Sequence, residues 1–187
     1  MVGPYLQRRS EGVFGLRMEV VVEPHVQDGT AQRADFRAAT DRALSRLRPG
    51  LVVYRRGDGR LVIEGGSTAC SAHHDRFTLA IVGDGAVACD AEGVTPRSEV
   101  TWHNLLGDAW PLAREIAQVT DEPFDAAATR VWGAMECVRK VGHAAVDLAL
   151  GPVDGDDVVI VAGSYRVLTS VLPTGDDHTM FALLGGS

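Results

Sequence analysis

Two Gly-Asp-Gly turns divide part of the chain into short apolar runs, and they restrict the possible folds more than any other feature. The turns and their flanking runs are residues 57–59 between 51–54 and 61–64, and residues 83–85 between 77–82 and 86–91. Glycine-rich turns between short apolar runs are typical of β-hairpins, so each turn predicts an antiparallel strand pair.

The remaining periodicities predict further strands and long helices. A β-branched run predicts a strand at 16–23, and 3.6-residue spacing predicts helices at 31–47, 105–119 and 124–142. Three later runs predict a meander of strands at 158–162, 165–172 and 179–184. Each half therefore combines helices with antiparallel strands in an α+β fold, with a first half at 1–85 and a second at 86–187.

Composition excludes several classes of protein. With 187 residues the chain is long enough to bury a core, and its net charge of −7 argues against a nucleic-acid partner. No apolar run approaches the roughly 20 residues of a membrane span, so no membrane partner is expected. Three cysteines without paired spacing (Cys70, Cys89, Cys137) favour a reducing, cytoplasmic location. The start lacks the order of a secretory signal and is abrupt, which suggests a domain cut from a longer protein.

Two segments carry the candidate chemistry. Asp90 and Glu92 follow an apolar run at i and i+2, so on a strand both point to one face. Trp132, Glu136 and Lys140 recur at four-residue spacing, which is one face of a helix. Taken singly, these patterns are also typical of a polar strand end and of a helix salt bridge. Taken together, they predict a site for a divalent cation or a phosphate.

A doubled histidine is the third element. His73 and His74 follow Ser71-Ala72, in what is predicted to be a turn between two strands. No second Cys/His pair lies at the spacing of a zinc ligand, so we exclude zinc. A histidine at such a turn can instead bind a phosphate group.

These motifs, in this order, resemble those of the 4′-phosphopantetheinyl transferase superfamily. The matching segments are Ser71-Ala72-His73, Asp90-Ala91-Glu92 and Trp132…Glu136…Lys140-Val141-Gly142, and His73 precedes Asp90 by 17 positions. The spacing resembles that of the larger, pseudo-dimeric branch. The residues in and around the first two motifs resemble those of the transferase domains at the C-terminus of enediyne-type iterative polyketide synthases.

The sequence departs from the family pattern at several positions. Ala72 stands where a serine is usual, and Met135 where a lysine is usual. The upstream Gly-Lys-Pro motif is represented by Gly59-Arg60-Leu61, which keeps a cation and loses the proline. These departures bear on coenzyme A binding more than on the metal site.

The resemblance implies a function and a role for each residue. The chain would transfer 4′-phosphopantetheine from coenzyme A to a serine of an acyl carrier protein, with Mg²⁺ (or Mn²⁺), releasing 3′,5′-ADP. The implied metal ligands are Asp90, Glu92 and Glu136, with Glu136 also the candidate base and Lys140 facing the diphosphate. The implied coenzyme A contacts are Arg60, His73, Ser71 and His74. Two alternatives stay open: a non-catalytic domain that binds carrier protein or coenzyme A, and a Mg²⁺-dependent phosphohydrolase.

Overall fold

The computed structural model describes residues 2–14, 18–25, 33–57, 61–143 and 146–186, except the side chains of 33–35. The chain divides into two compact units, residues 1–89 with 185–187 and residues 90–184. The boundary passes through two strands, at Cys89/Asp90 and near the chain end. The predicted join, after Gly85, lies four residues earlier.

The first unit packs helices against a five-stranded sheet. Its elements are α1 (Val2–Phe14), β1 (Met18–Pro24), α2 (Arg33–Leu47), β2 (Val53–Arg55), β3 (Leu61–Ile63), β4 (Thr68–His74) and β5 (Phe77–Gly83). The strand order is β1-β5-β4-β3-β2, and each neighbouring pair is antiparallel. The helix α2 covers a core that includes Ala43, Leu44, Ala80 and Val82.

The second sheet repeats this strand order. Its elements are β6 (Val87–Gly93), α3 (Glu99–Leu106), a 3-10 turn (Gly107–Ala109), α4 (Trp110–Thr120), α5 (Phe124–Lys140), β7 (Leu148–Asp154), β8 (Asp157–Ala162), β9 (Tyr165–Thr174) and β10 (Asp177–Gly186). The order is β6-β10-β9-β8-β7. In both sheets the first strand pairs with the last, and the others follow in reverse sequence order.

The α+β fold is confirmed, and several of its predicted elements are too. The helix predicted at 31–47 is α2, and the one predicted at 124–142 is α5. The hairpin around residues 57–59 is the antiparallel pair β2–β3. The predicted three-strand meander corresponds to β8, β9 and β10.

The second predicted hairpin, around residues 83–85, is wrong. The strand β5 is hydrogen-bonded to β1 on one side and β4 on the other, so it has no free edge for β6. The strand β6 instead pairs with β10 in the other sheet. A Gly-Asp-Gly turn predicts a change of direction, but it does not determine whether the two strands pair.

The single helix predicted at 105–119 is also wrong. The structure has α3 and α4, separated by a 3-10 turn that begins at Gly107. Gly107 has a positive φ of 52°, and Pro111 lies in the first turn of α4. A proline lacks the backbone N–H that a continuous helix would need at that position, so the helix ends and restarts.

A buried ion pair fixes the start of α5, the helix that carries the candidate residues. Arg130 is 2% exposed, and its guanidinium donates to both carboxylate oxygens of Glu122, at 2.9 and 3.0 Å. It also donates to the backbone carbonyls of Thr169 (2.7 Å) and Asp156 (3.0 Å). These bonds join α5 to β9 and to the turn between β7 and β8.

Replacing Arg130 by methionine is expected to lower the free energy of unfolding by about 3–5 kcal/mol, because Glu122 would remain partly buried without its partner. Urea denaturation measures the loss. Arg114→Met, at an exposed position of α4, is the matched control and should change stability by less than about 0.5 kcal/mol. Equal effects of the two substitutions would show that the Arg130 pair is not a structural anchor.

Candidate functional site

The strand β6 positions the first two acids. Its residues from Val87 to Ala91 are buried, and Asp90 is 7% exposed, whereas Glu92 is half-buried. Alternation along the strand directs the side chains of Asp90 and Glu92 to the same face, as predicted. The apolar strand thus holds the Asp90 carboxylate buried and the Glu92 carboxylate half-buried.

The helix α5 brings Lys140 to this strand. The Lys140 Nζ donates to Asp90 Oδ1 at 2.8 Å, across 50 positions of sequence. The Glu136 carboxylate accepts from Arg139 at 2.5 Å, and the Arg139 guanidinium lies over the Trp132 ring, 5.8 Å from its centroid. Trp132 is half-buried and lies beside the buried face of α5. The helix α5 and the strand β6 therefore meet through Lys140 and Asp90.

The charges around Glu92 act on its pKa. Burial raises the pKa of Glu92 above its ordinary value of 4.5, and the charges of Asp90 and Glu136 raise it further. Arg97 and Lys140 oppose the rise in this pKa with their positive charges. Two carboxylates (Asp90 and Glu136) and two cations (Arg97 and Lys140) therefore act electrostatically on the carboxylate of Glu92.

The site contains a buried oxygen without a partner. Asp90 Oδ2 is buried and has no hydrogen bond within the described part of the chain, although Oδ1 is bonded to Lys140. An orphaned buried carboxylate oxygen is unfavourable unless a donor or a cation binds it. Over the same described residues, no group of three or more His, Cys, Asp or Glu is already arranged to hold a metal.

The residue types nevertheless fit a hard divalent cation. Asp90, Glu92 and Glu136 carry carboxylate oxygens, the ligand type that Mg²⁺ prefers, and a positive charge would relieve their mutual repulsion. The orphaned Asp90 Oδ2 is the specific observation that supports this fit.

Glu92→Gln is expected to stabilise the metal-free protein at neutral pH. Because the folded-state pKa of Glu92 is raised, ionising this side chain costs more in the folded state than in the unfolded state. This cost is absent below the ordinary glutamate pKa and complete above the raised folded value. The advantage of the variant should therefore grow as the pH rises through that interval.

Thermal unfolding in the presence of a chelator, from pH 4 to 8, measures this difference. Glu115→Gln, at an exposed position of α4, is the control and should show no such growth. Saturating Mg²⁺ should stabilise the wild type more than Glu92→Gln. If the variant is less stable than the wild type at pH 8 without metal, burial and the neighbouring charges do not raise the pKa of Glu92 as described.

The histidine motif lies in the first unit, on the strand β4. The prediction of a turn at His73 is wrong, because β4 runs through His74 and the turn follows it. Ser71 and His73 share one face of β4, and His74 is on the opposite face. The His74 ring stacks on Phe77 with centroids 4.8 Å apart. The structure thus groups Ser71 with His73 and separates His74 from both.

Arg60 lies outside the described residues.

Two arginines near the acids were not predicted as part of the site. Arg139 could have been identified, since it follows Glu136 by three positions on the helix. Arg97 could not, because it follows β6 in a loop with no periodic signal, where its backbone N–H donates to Asp125 at 2.9 Å.

A comparison with protein-family models and with curated proteins found no match to this chain. Within the described ranges, no helix combines the length and the apolar character that crossing a membrane requires. Cys70 is half-buried, and Cys89 and Cys137 are buried.

Proposed function

We propose that the chain is a 4′-phosphopantetheinyl transferase, which converts an apo acyl carrier protein to its holo form with coenzyme A as the donor. The observation that carries the proposal is the ion pair from Lys140 to Asp90, which joins the helix that carries Glu136 to the strand that carries Asp90 and Glu92. The motifs that resemble this superfamily thus include residues that are spatial neighbours.

The repeated strand order supports the pseudo-dimeric form of this fold. Two sheets with the orders β1-β5-β4-β3-β2 and β6-β10-β9-β8-β7 are the topology expected of two related halves. In this proposal the second half supplies the acidic site, and the chain works in the reducing cytoplasm.

The chemistry of the proposed step needs a base and a positive field. The serine oxygen of the carrier protein attacks the phosphorus that bears the pantetheine arm, and the bond from this phosphorus to the bridging oxygen of 3′,5′-ADP breaks. Glu136 accepts the serine proton, since its carboxylate is 19% exposed and so remains accessible. Lys140 would neutralise the diphosphate once substrate competes with Asp90 for its ammonium group.

Asp90, Glu92 and Glu136 would hold Mg²⁺ or Mn²⁺. When bound, such an ion stabilises negative charge on the phosphate oxygens. Placement of the serine and the diphosphate by the chain's own residues then supplies much of the reduction in barrier.

The 3′-phosphate of coenzyme A is assigned to His73 and Ser71, with Arg60 as a further cation. His74 is the weaker candidate for coenzyme A binding, because its ring stacks on Phe77. The proposed partner is an acyl carrier protein, and neither nucleic acid nor a membrane is part of the proposal.

Incubation with coenzyme A, Mg²⁺ and an apo carrier protein, followed by intact-mass measurement of the carrier, tests the proposal. We expect the carrier to gain the mass of one phosphopantetheinyl group, and a carrier with its acceptor serine changed to alanine to gain none.

Two other outcomes would contradict the proposal. Coenzyme A bound without any change in carrier mass would identify a non-catalytic binding domain. Pantetheine phosphate released without a carrier protein would identify a phosphohydrolase.

A further inference from the structure

The two edge strands of the first sheet, β1 and β2, differ in how their outer edges are covered. Gln7 of α1 covers the edge of β1. Its side-chain amide donates to the backbone oxygen of Met18 at 2.6 Å and accepts from the backbone N–H of Val20 at 2.7 Å. A neighbouring strand would make the same two kinds of bond. Gln7 thus blocks an edge that could otherwise pair with another chain.

The outer edge of β2 is open in the described part of the chain, where β2 is the last strand of its sheet and pairs with β3. The N–H of Glu64 donates to the carbonyl oxygen of Val52 at 3.2 Å, so the main-chain groups of Val52 point toward β3. Because these directions alternate in an antiparallel pair, the main-chain groups of Val53 and Arg55 point away from β3. They are therefore placed to accept an added strand.

The outer face of the hairpin beside this edge is apolar and exposed. Val52 is 44% exposed, Tyr54 57% and Val62 40%. Tyr54 and Val62 are direct cross-strand neighbours, whereas Val53 packs on the opposite side, against the core beneath α2. Adjacent apolar side chains that remain in water are typical of a surface that another molecule covers.

The opposite side of the same edge is basic. The Arg55 guanidinium donates to Asp41 on α2 at 2.7 Å and lies 3.5 Å from the backbone oxygen of Arg37, whose own side chain is exposed. Residues 37–56 contain six arginines and a single aspartate, although the whole chain has a net charge of −7. The local charge at this edge therefore complements an acidic partner.

We propose that β2 is the docking edge for an extended segment of a partner protein in which apolar and acidic side chains alternate. Added as a strand, such a segment hydrogen-bonds to the main-chain groups of Val53 and Arg55. Its apolar side chains lie on one face, where they cover Tyr54 and Val62. Its acidic side chains lie on the other face, beside Arg55 and Arg37. This docking uses residues of the first unit and does not depend on the transfer reaction.

Hydrogen exchange at the open edge gives the most specific test. The probe is a heptapeptide of alternating glutamate and valine, capped at both ends and added to the full chain. At saturation the amides of Val53 and Arg55 should exchange at least about tenfold more slowly by NMR, because they gain hydrogen bonds. The amide of Val20, which is already bonded to Gln7, should be unaffected. The same peptide with lysine in place of glutamate should protect neither edge amide.

Substitutions test the two faces of the edge separately. By calorimetry, Arg37→Glu should weaken binding of the peptide about tenfold, because it places a carboxylate beside those of the peptide. Tyr54→Thr should also weaken binding, since threonine keeps the strand propensity and removes the ring that the valines cover. Arg42→Glu, at another exposed position of α2, is the matched control and should weaken binding less than about threefold.

The docking edge is refuted if the glutamate peptide does not bind, if the lysine peptide binds as tightly, or if the amides of Val53 and Arg55 exchange as in the free protein. Equal weakening by Arg37→Glu and Arg42→Glu would refute it as well. Protection of the two amides that rises with protein concentration in the absence of peptide would show that a second copy occupies the edge instead. Since none of these measurements involves coenzyme A, a failed transfer assay would leave the docking edge standing.

Discussion

Replacing Glu136 by glutamine is expected to lower the rate of phosphopantetheinyl transfer by about 10²–10⁴-fold, the usual contribution of a general base. Glutamine keeps the size and the acceptor oxygen of the side chain but cannot take the serine proton. It is also a weaker ligand for a divalent cation. Single-turnover transfer at saturating coenzyme A, followed by intact mass, measures the loss.

The fold should survive this substitution. The pair between Glu136 and Arg139 is a partly exposed i, i+3 contact, and such pairs contribute less than about 1 kcal/mol. Glu115→Gln, at an exposed position of α4 in the same unit, is the matched control and should transfer at the wild-type rate. An unchanged rate in Glu136→Gln would remove Glu136 from the mechanism and return it to the role of a helix salt bridge.

Removal of divalent metal is expected to have the second large effect. A chelator should stop transfer, and added Mg²⁺ or Mn²⁺ should restore it. The reason is that the carboxylates around Asp90 repel a negatively charged diphosphate unless a cation lies between them. Binding should also stabilise the fold by about 2.7 kcal/mol at a Mg²⁺ concentration 100 times its dissociation constant.

A variant pair separates this site from non-specific effects of Mg²⁺. Asp90→Asn should lose the Mg²⁺-dependent rise in melting temperature, whereas Asp108→Asn, at an exposed position of the 3-10 turn, should retain it. Full transfer in the presence of the chelator would refute the three-carboxylate site.

The sequence predicted which candidate side chains share a face of their element better than it predicted how the strands pair. Asp90 and Glu92 share a face because β6 alternates, and Glu136 and Lys140 share a face because α5 is a regular helix, so local periodicity was sufficient for each pair. That the pairs meet, through the bond from Lys140 to Asp90, was inferred from chemistry and from the resemblance.

Long-range pairing was not predictable in the same way. The Gly-Asp-Gly turn at 83–85 has the local character of a hairpin, but the pairing of β5 with both β1 and β4 depends on residues more than 50 positions away for β1. The strand β4 was not predicted, since Ser71, His73 and His74 give it little apolar alternation.

The contacts of His73 also depend on tertiary structure. Thr40 comes from α2, Thr78 from β5 and His25 from the end of β1, so no spacing in the sequence links them. Thr40 and Thr78 become buried only when α2 packs on the sheet.

The stoichiometry of the products tests the central claim most directly. The protein is incubated with coenzyme A, Mg²⁺ and an apo carrier protein, and holo carrier and 3′,5′-ADP are measured in the same samples over time. We predict that the two products rise together in equal amounts and that neither forms without Mg²⁺. The formation of 3′,5′-ADP without holo carrier, or of neither product with Mg²⁺ present, would contradict this account.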